Sequence, residues 1–200
     1  MSRMTPLTLE SIPELADLLP HYRRGLGFVP NSVGIMARRP KLAKAFSALN
    51  AAVMEGSVTP GFKRLLGYVS SRVTGCRYCM AHTIHGAGHN GIDAAKLAAV
   101  WDYPTSPLFS EAARAALDFA VAAAAVPNAV DDTIFAKLKE HWSEEQIVEI
   151  LATVAMYGFL NRWNDSLATE LEEAPLETDE KLLRQRGWSV GKHGRTTQPA

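Results

Sequence analysis

The chain contains two cysteines, and both lie in one four-residue stretch, Cys76-Arg77-Tyr78-Cys79. His82, His85 and His89 follow, half of the six histidines in the sequence. On an α-helix Cys76 and Cys79 stand one turn apart on the same side. At about 100° per residue, Cys79, His82, His85 and His89 fall within roughly a third of the helix circumference. Thiols one turn apart can close a disulfide after modest backbone adjustment. A thiol in the first turn of a helix feels the positive end of the macrodipole, which favours its thiolate. A neighbouring histidine can take the thiol proton or stabilise the anion. Arg77 adds positive charge. These are the parts of a dithiol that is oxidised and re-reduced. His21, His141 and His193 have no partners in sequence and carry no assignment.

Competing chemistries fit less well. Cysteine is often a buried small hydrophobe, but a close pair followed by histidines is seldom only that. A tetrahedral zinc site would draw Cys and His ligands from one continuous helix. Cys76 and His89 would then be about 20 Å apart along the axis, too far to share one ion. Covalent haem attachment needs a histidine directly after the second cysteine, and Met80 stands there. A thioredoxin-like setting needs a preceding strand, and none is indicated. No cofactor and no metal are expected.

The elements that must position these residues are helices. Alanine, the best helix former, occurs 29 times. No alternating strand pattern or Asn-Gly or Asp-Gly hairpin signal is present. Helical periodicity predicts helices over about 12–19, 32–38, 41–55, 60–73, 76–89, 92–101, 111–125 and 131–142. A long apolar-faced helix is predicted over 144–163, opened by a capping box at Ser143-Glu144-Glu145-Gln146. Asn90-Gly91 stops the cysteine helix. The stretch 170–180 is acidic and 181–200 is polar and basic. The last ten or so residues are expected to be mobile or to lie on a partner subunit. A weak internal echo links the halves: twelve positions separate Arg64 from Cys76 and Glu149 from Asn161, and Asn161-Arg162-Trp163-Asn164 repeats the spacing of the cysteine pair. Asn161, Arg162 and Asp165 are read as ties between the end of the long helix and its neighbour.

Composition sets outer bounds. Two hundred residues, 47% hydrophobic and 21% charged, suit one globular unit with a sizeable core. Lys plus Arg and Asp plus Glu are each 21, and this zero net charge argues against nucleic-acid binding. No apolar run reaches the roughly 18 residues of a membrane span, and no secretory leader is seen, so a cytoplasmic location is expected.

At Gly27–Met36 with the helix through Asn50–Met54, at Ser71–His82 and at Asn161–Asp165, the sequence resembles the carboxymuconolactone decarboxylase / AhpD-like alkylhydroperoxidase superfamily. It looks closest to the peroxidase-related branch built of two units. The resemblance covers most of residues 25–175. It implies an all-α helical bundle with two related units, about 40–100 and 108–170, within a domain spanning 1–175, followed by a C-terminal extension over 176–200. It also implies a homo-oligomer (dimer, trimer or hexamer). The second cysteine of the motif, Cys79, would be the peroxidatic thiol, and Cys76 would resolve it as a disulfide. The family relays the proton through a glutamate twelve residues before the first cysteine and a histidine four after the second. Here those positions are Arg64 and Thr83, and His82 comes one residue early. His82 and His85 are therefore the expected proton carriers, with Glu149 as a carboxylate reaching in from across the bundle. The expected function is a thiol-dependent hydroperoxide reductase with a hydroperoxide substrate and a dithiol reductant. The alternatives are a decarboxylase or isomerase on the same fold, or a redox sensor without turnover.

Overall fold

Proline and glycine punctuate a succession of helices, and a computed structural model describes residues 2–195 of the chain. The first expected helix divides. Residues Pro13–Leu18 form a 3₁₀ segment and α1 starts only at Leu19–Leu26. Pro20 has no N–H to give to an upstream carbonyl, so the α-ladder cannot run through it, whereas proline is well tolerated in the first turn of a new helix. Gly27 (φ 85°) ends α1 in the left-handed conformation. Then follow α2 (Asn31–Met36), α3 (Pro40–Met54), α4 (Pro60–Thr74) and α5 (Arg77–His89). The second half contains α6 (Ala94–Ala98), α7 (Glu111–Ala124), α8 (Asp132–Lys139), α9 (Glu144–Leu167) and α10 (Glu173–Leu182). The fold is all-α, and no strand occurs among the described residues.

α4 is the central rod. From Gly61 to Ser71 every residue except Arg64 is buried, and the helix packs against α5, α7 and α9. Its Leu65, Leu66 and Val69 are fully enclosed. Burial of such side chains contributes about 1.5–3 kcal/mol each relative to exposure. Gly67 lets α9 approach closely: a Cβ there would stand 2.2 Å from the ring of Tyr157. α9 begins with the expected capping box, Ser143 and Gln146 satisfying each other's backbone amides.

The described part of the C-terminal extension packs on the chain itself. The acidic stretch forms α10 and packs on α5. Residues 183–195 then fold back on the chain itself, burying Leu183, Trp188 and His193. Arg77 donates to the Ser189 carbonyl at 3.1 Å, and the Leu171 amide to the His193 carbonyl at 2.8 Å. These contacts satisfy backbone groups that a free tail would leave to water. The expectation of mobility over the last residues falls otherwise on 196–200, outside the described residues. No helix among the described residues is long and apolar enough to cross a membrane.

Candidate active site

The short turn between α4 and α5 places the two thiols. Gly75 adopts φ 79°, ending α4, and Cys76 caps α5 while accepting the first helical hydrogen bond from the Met80 amide at 3.0 Å. Cys79 sits in the first turn of α5. Both cysteines are free thiols and both are buried. Cys79 is in the wall of a cavity of about 220 Å³, and Cys76 lies behind it, outside that lining. The cavity is mostly apolar, with Tyr22, Leu26, Phe46 and Leu160 among its walls, and its polar groups include Arg64, His82, Asn164 and Tyr157.

Burial and three neighbours, Cys76, Asn164 and Asp165, set the electrostatics of Cys79. Burial pushes its thiol well up from the ordinary range, and the adjoining Cys76 thiol adds to that. Asn164 donates Nδ2 to the Cys79 sulfur at 3.5 Å and pulls the other way. Burial is the largest of these effects. Across the cavity Arg64 donates to the Tyr157 hydroxyl at 2.8 Å. The guanidinium therefore stands at the cavity with its charge available to an anion. Thr83, in the other relay position, does not enter. It is fully buried and donates back to the carbonyls of Cys79 and Met80.

His82 lines the cavity, stacked on Tyr78 with ring centroids 4.3 Å apart. Its Nε2 lies 2.5 Å from Oε2 of Glu172. The other carboxylate oxygen accepts from the Tyr78 hydroxyl at 2.9 Å and the Asn31 amide at 2.5 Å. Burial pushes the Glu172 carboxyl up, but His82 and the Asn31 amide outweigh it and hold it below its usual value. An ionised Glu172 fixes a proton on His82 Nε2 and orients the ring. His85 is on the same stripe but outside the cavity lining. Its Nδ1 donates at 3.0 Å to the hydroxyl of Thr178, which itself donates to Ala174. Burial and the neighbouring His89 lower its pKa.

Glu149 is the site residue that the structure places elsewhere. Its carboxylate pairs with the fully buried Lys63 at 2.7 Å and accepts from the amides of Ser57 and Val58, both at 3.0 Å. Burial raises its carboxyl, yet these donors prevail and bring it to about 2. The expected carboxylate at Cys79 is corrected by helix geometry. Glu149 precedes Asn164 by fifteen positions, or about 22 Å of helix, and it is Asn164 that reaches the thiol. The carboxylate near the cavity comes instead from Glu172. The echo between the halves points at real neighbours: Asn161 accepts from Ser71 at 2.9 Å, and Asn164 meets Cys79. Spacing alone contained no signal for Glu172 or Tyr157, because each acts across the fold.

Behind Cys79, the Cys76 sulfur, a ring nitrogen of His193 and a carboxylate oxygen of Asp165 lie within 4.8 Å of one another. These three are the described residues whose donor atoms group as metal ligands do. Lys192 already holds the other oxygen of Asp165 at 2.7 Å.

Comparison with known proteins adds to this geometry. The pattern of the carboxymuconolactone decarboxylase family matches residues 40–122, which include both cysteines. The chain is 34% identical to a crystallised cysteine-to-alanine variant of the debrominase Bmp8 in complex with 2,3,4-tribromopyrrole, with TM-score 0.85 over 89% of this chain and 96% of that one. It is 24% identical to a peroxidase-related protein with an alkylhydroperoxidase AhpD core from Ralstonia eutropha JMP134, with TM-score 0.76 over 87% and 94% of the two chains, a likeness of fold. The protein YnjA of Escherichia coli (strain K12) is 32% identical over 92 residues, 46% of this chain and half of its own length.

Proposed function

The chain belongs to the carboxymuconolactone decarboxylase / AhpD-like superfamily, and on that premise we propose that it is a thiol-dependent reductase of small electrophiles, with organic hydroperoxides as its leading substrate class. The observation that carries this reading is the placement of the two free thiols: Cys79 in the wall of a mostly apolar cavity and Cys76 one turn behind it. The Cys79 thiolate attacks the terminal peroxide oxygen. The O–O bond breaks, the sulfur becomes a sulfenic acid, and the alkoxide leaves with a proton. His82, whose Nε2 proton is held by Glu172, takes the proton of the Cys79 thiol on its other ring nitrogen and passes it to the leaving alkoxide. Cys76 then displaces water from Cys79, forming the disulfide, and an external dithiol reduces it.

A second reading is favoured by the cavity's apolar walls and by Arg64, and it is supported by the likeness to a debrominase. A halogenated aromatic ring gives its halogen to the Cys79 sulfur. The ring takes a proton, and halide leaves when Cys76 closes the disulfide. Both readings use the same two thiols and consume one dithiol per turnover.

The test is intact-mass analysis of the reduced protein after one equivalent of cumene hydroperoxide or of a bromopyrrole. Loss of about 2 Da within seconds with the hydroperoxide supports the first reading. Loss only with the bromopyrrole, with release of bromide, moves the assignment to dehalogenation. Cys79→Ser is expected to abolish the mass change and turnover with either compound. Turnover that survives this substitution overturns both readings.

A further inference from the structure

We propose that His193, supported by Asp165, is the proton acceptor for Cys76, so that the folded-back C-terminal segment completes the disulfide-forming half of the site. The proposal rests on the two-thiol reading above and adds a base that the cysteine motif itself lacks. Neither relay position of the family can act as one here: Arg64 stays charged at neutral pH, and Thr83 is committed to carbonyls of its own helix.

The geometry begins with the tautomer. His193 Nδ1 lies 2.7 Å from the Thr169 carbonyl oxygen, which can only accept, so Nδ1 carries the proton. A neutral ring then presents Nε2 as a bare lone pair. That nitrogen is buried and has no hydrogen-bond partner among the described residues. His193 as a whole is 1% exposed, and an orphaned polar atom at such a depth is unusual enough to need a reason. The reason lies alongside it. Nε2 is 3.6 Å from Oδ1 of Asp165, too long for a hydrogen bond but close enough to stabilise a proton that arrives. The Cys76 sulfur shares the same 4.8 Å grouping. Burial keeps the ring's pKa below its ordinary value, with Thr169 and Asp165 opposing, so the resting state is the neutral base.

Other charged or titratable groups facing the ring are Lys192, which holds the far oxygen of Asp165, and the phenol of Tyr78, whose ring lies 5.8 Å away. Lys192 also limits the charge that Asp165 can lend to a metal ion, and a metal on the Cys76 sulfur would block the disulfide.

The step balances without any further reagent. His193 Nε2 takes the proton from the Cys76 thiol. The thiolate attacks the Cys79 sulfur, the S–O bond of the sulfenic acid breaks, and the departing hydroxide recovers the proton as water. Division of labour follows: Cys79 meets the substrate from the cavity side, and Cys76 meets its base from the C-terminal side.

The experiment compares wild type with His193→Gln, and with Asp165→Asn on the half-exposed carboxylate, whose loss leaves the core untouched. Cys79 is first capped as a methyl disulfide with methyl methanethiosulfonate. The rate at which Cys76 displaces the methylthiolate is then read by mass across pH 5 to 9. This readout needs no peroxide, so a chain that ignores hydroperoxides still tests the base. His193→Gln is expected to slow the displacement at least tenfold below pH 8 while leaving capping of Cys79 unchanged. Asp165→Asn is expected to move the midpoint of the pH profile downward, because the carboxylate raises the pKa of the ring. With cumene hydroperoxide, His193→Gln should accumulate the sulfenic acid, seen as a gain of about 16 Da. Displacement in His193→Gln at the wild-type rate, or an unshifted profile in Asp165→Asn, overturns the proposal.

Discussion

Burial holds the Cys79 thiol in its protonated form, so the reactivity of the site depends on what relieves that burial at the moment of attack. Asn164 is the neighbour that favours the thiolate, through Nδ2 at 3.5 Å from the sulfur. Replacing it with leucine keeps the volume and removes the donor. Asn164→Leu is expected to slow peroxide-dependent disulfide formation about tenfold, the equivalent of roughly one pKa unit; an unchanged rate by mass spectrometry would mean that this contact does not act on the thiol. The thiol pair and His82 were legible in the sequence because their arrangement is local to one helix. Glu172 was not. It lies ninety positions from His82, in a stretch whose acidity reads as a solvated surface until α10 is seen to fold against α5. Glu149 misled for the converse reason: its spacing from Asn161 matches that of Arg64 from Cys76, but spacing along a helix says nothing about what its side chain meets.

At the scale of elements, α4 and α9 are in contact where one of them has no side chain. Gly67 lies under the Tyr157 ring, and Tyr157 in turn holds Arg64 at the cavity. Gly67→Ala would add a methyl group 2.2 Å from that ring. Overpacking of this kind costs about 1–3 kcal/mol. The variant should therefore melt earlier in a thermal scan; a variant with wild-type melting temperature would show that α9 can shift freely. Helix positions were readable because caps and prolines mark them, as at Ser143 and Pro60. The split at Pro20 and the existence of α10 were missed: the first needs the ladder to be followed bond by bond, and the second forms without a strong apolar periodicity.

Across the whole molecule, acid should act in two stages. The pKa values of His85 and His193 are lowered, in each case chiefly by burial. The unfolded chain therefore takes up their protons first, and the stability present above about pH 6.5 is lost as pH falls below it. Glu149 (about 2) and Glu172 are also lowered, so their contributions persist down to about pH 4.5 and fade below it. Denaturant midpoints measured from pH 7.5 to 3 should fall in two steps, and a flat profile between pH 7 and 5 would contradict the burial of the histidines. Glu149→Gln leaves the enclosed Lys63 ammonium with only the Glu55 carbonyl and should cost about 3 kcal/mol, with no change in the rate of disulfide formation. That separation has a practical side. α9 runs 24 residues, Glu144–Leu167, with the Lys63 pair near one end and the thiol contact near the other. Sites so far apart without shared neighbours combine additively. The helix is thus a chassis on which heat tolerance can be engineered at the Ser143 end while the reactive end is evolved for a different electrophile.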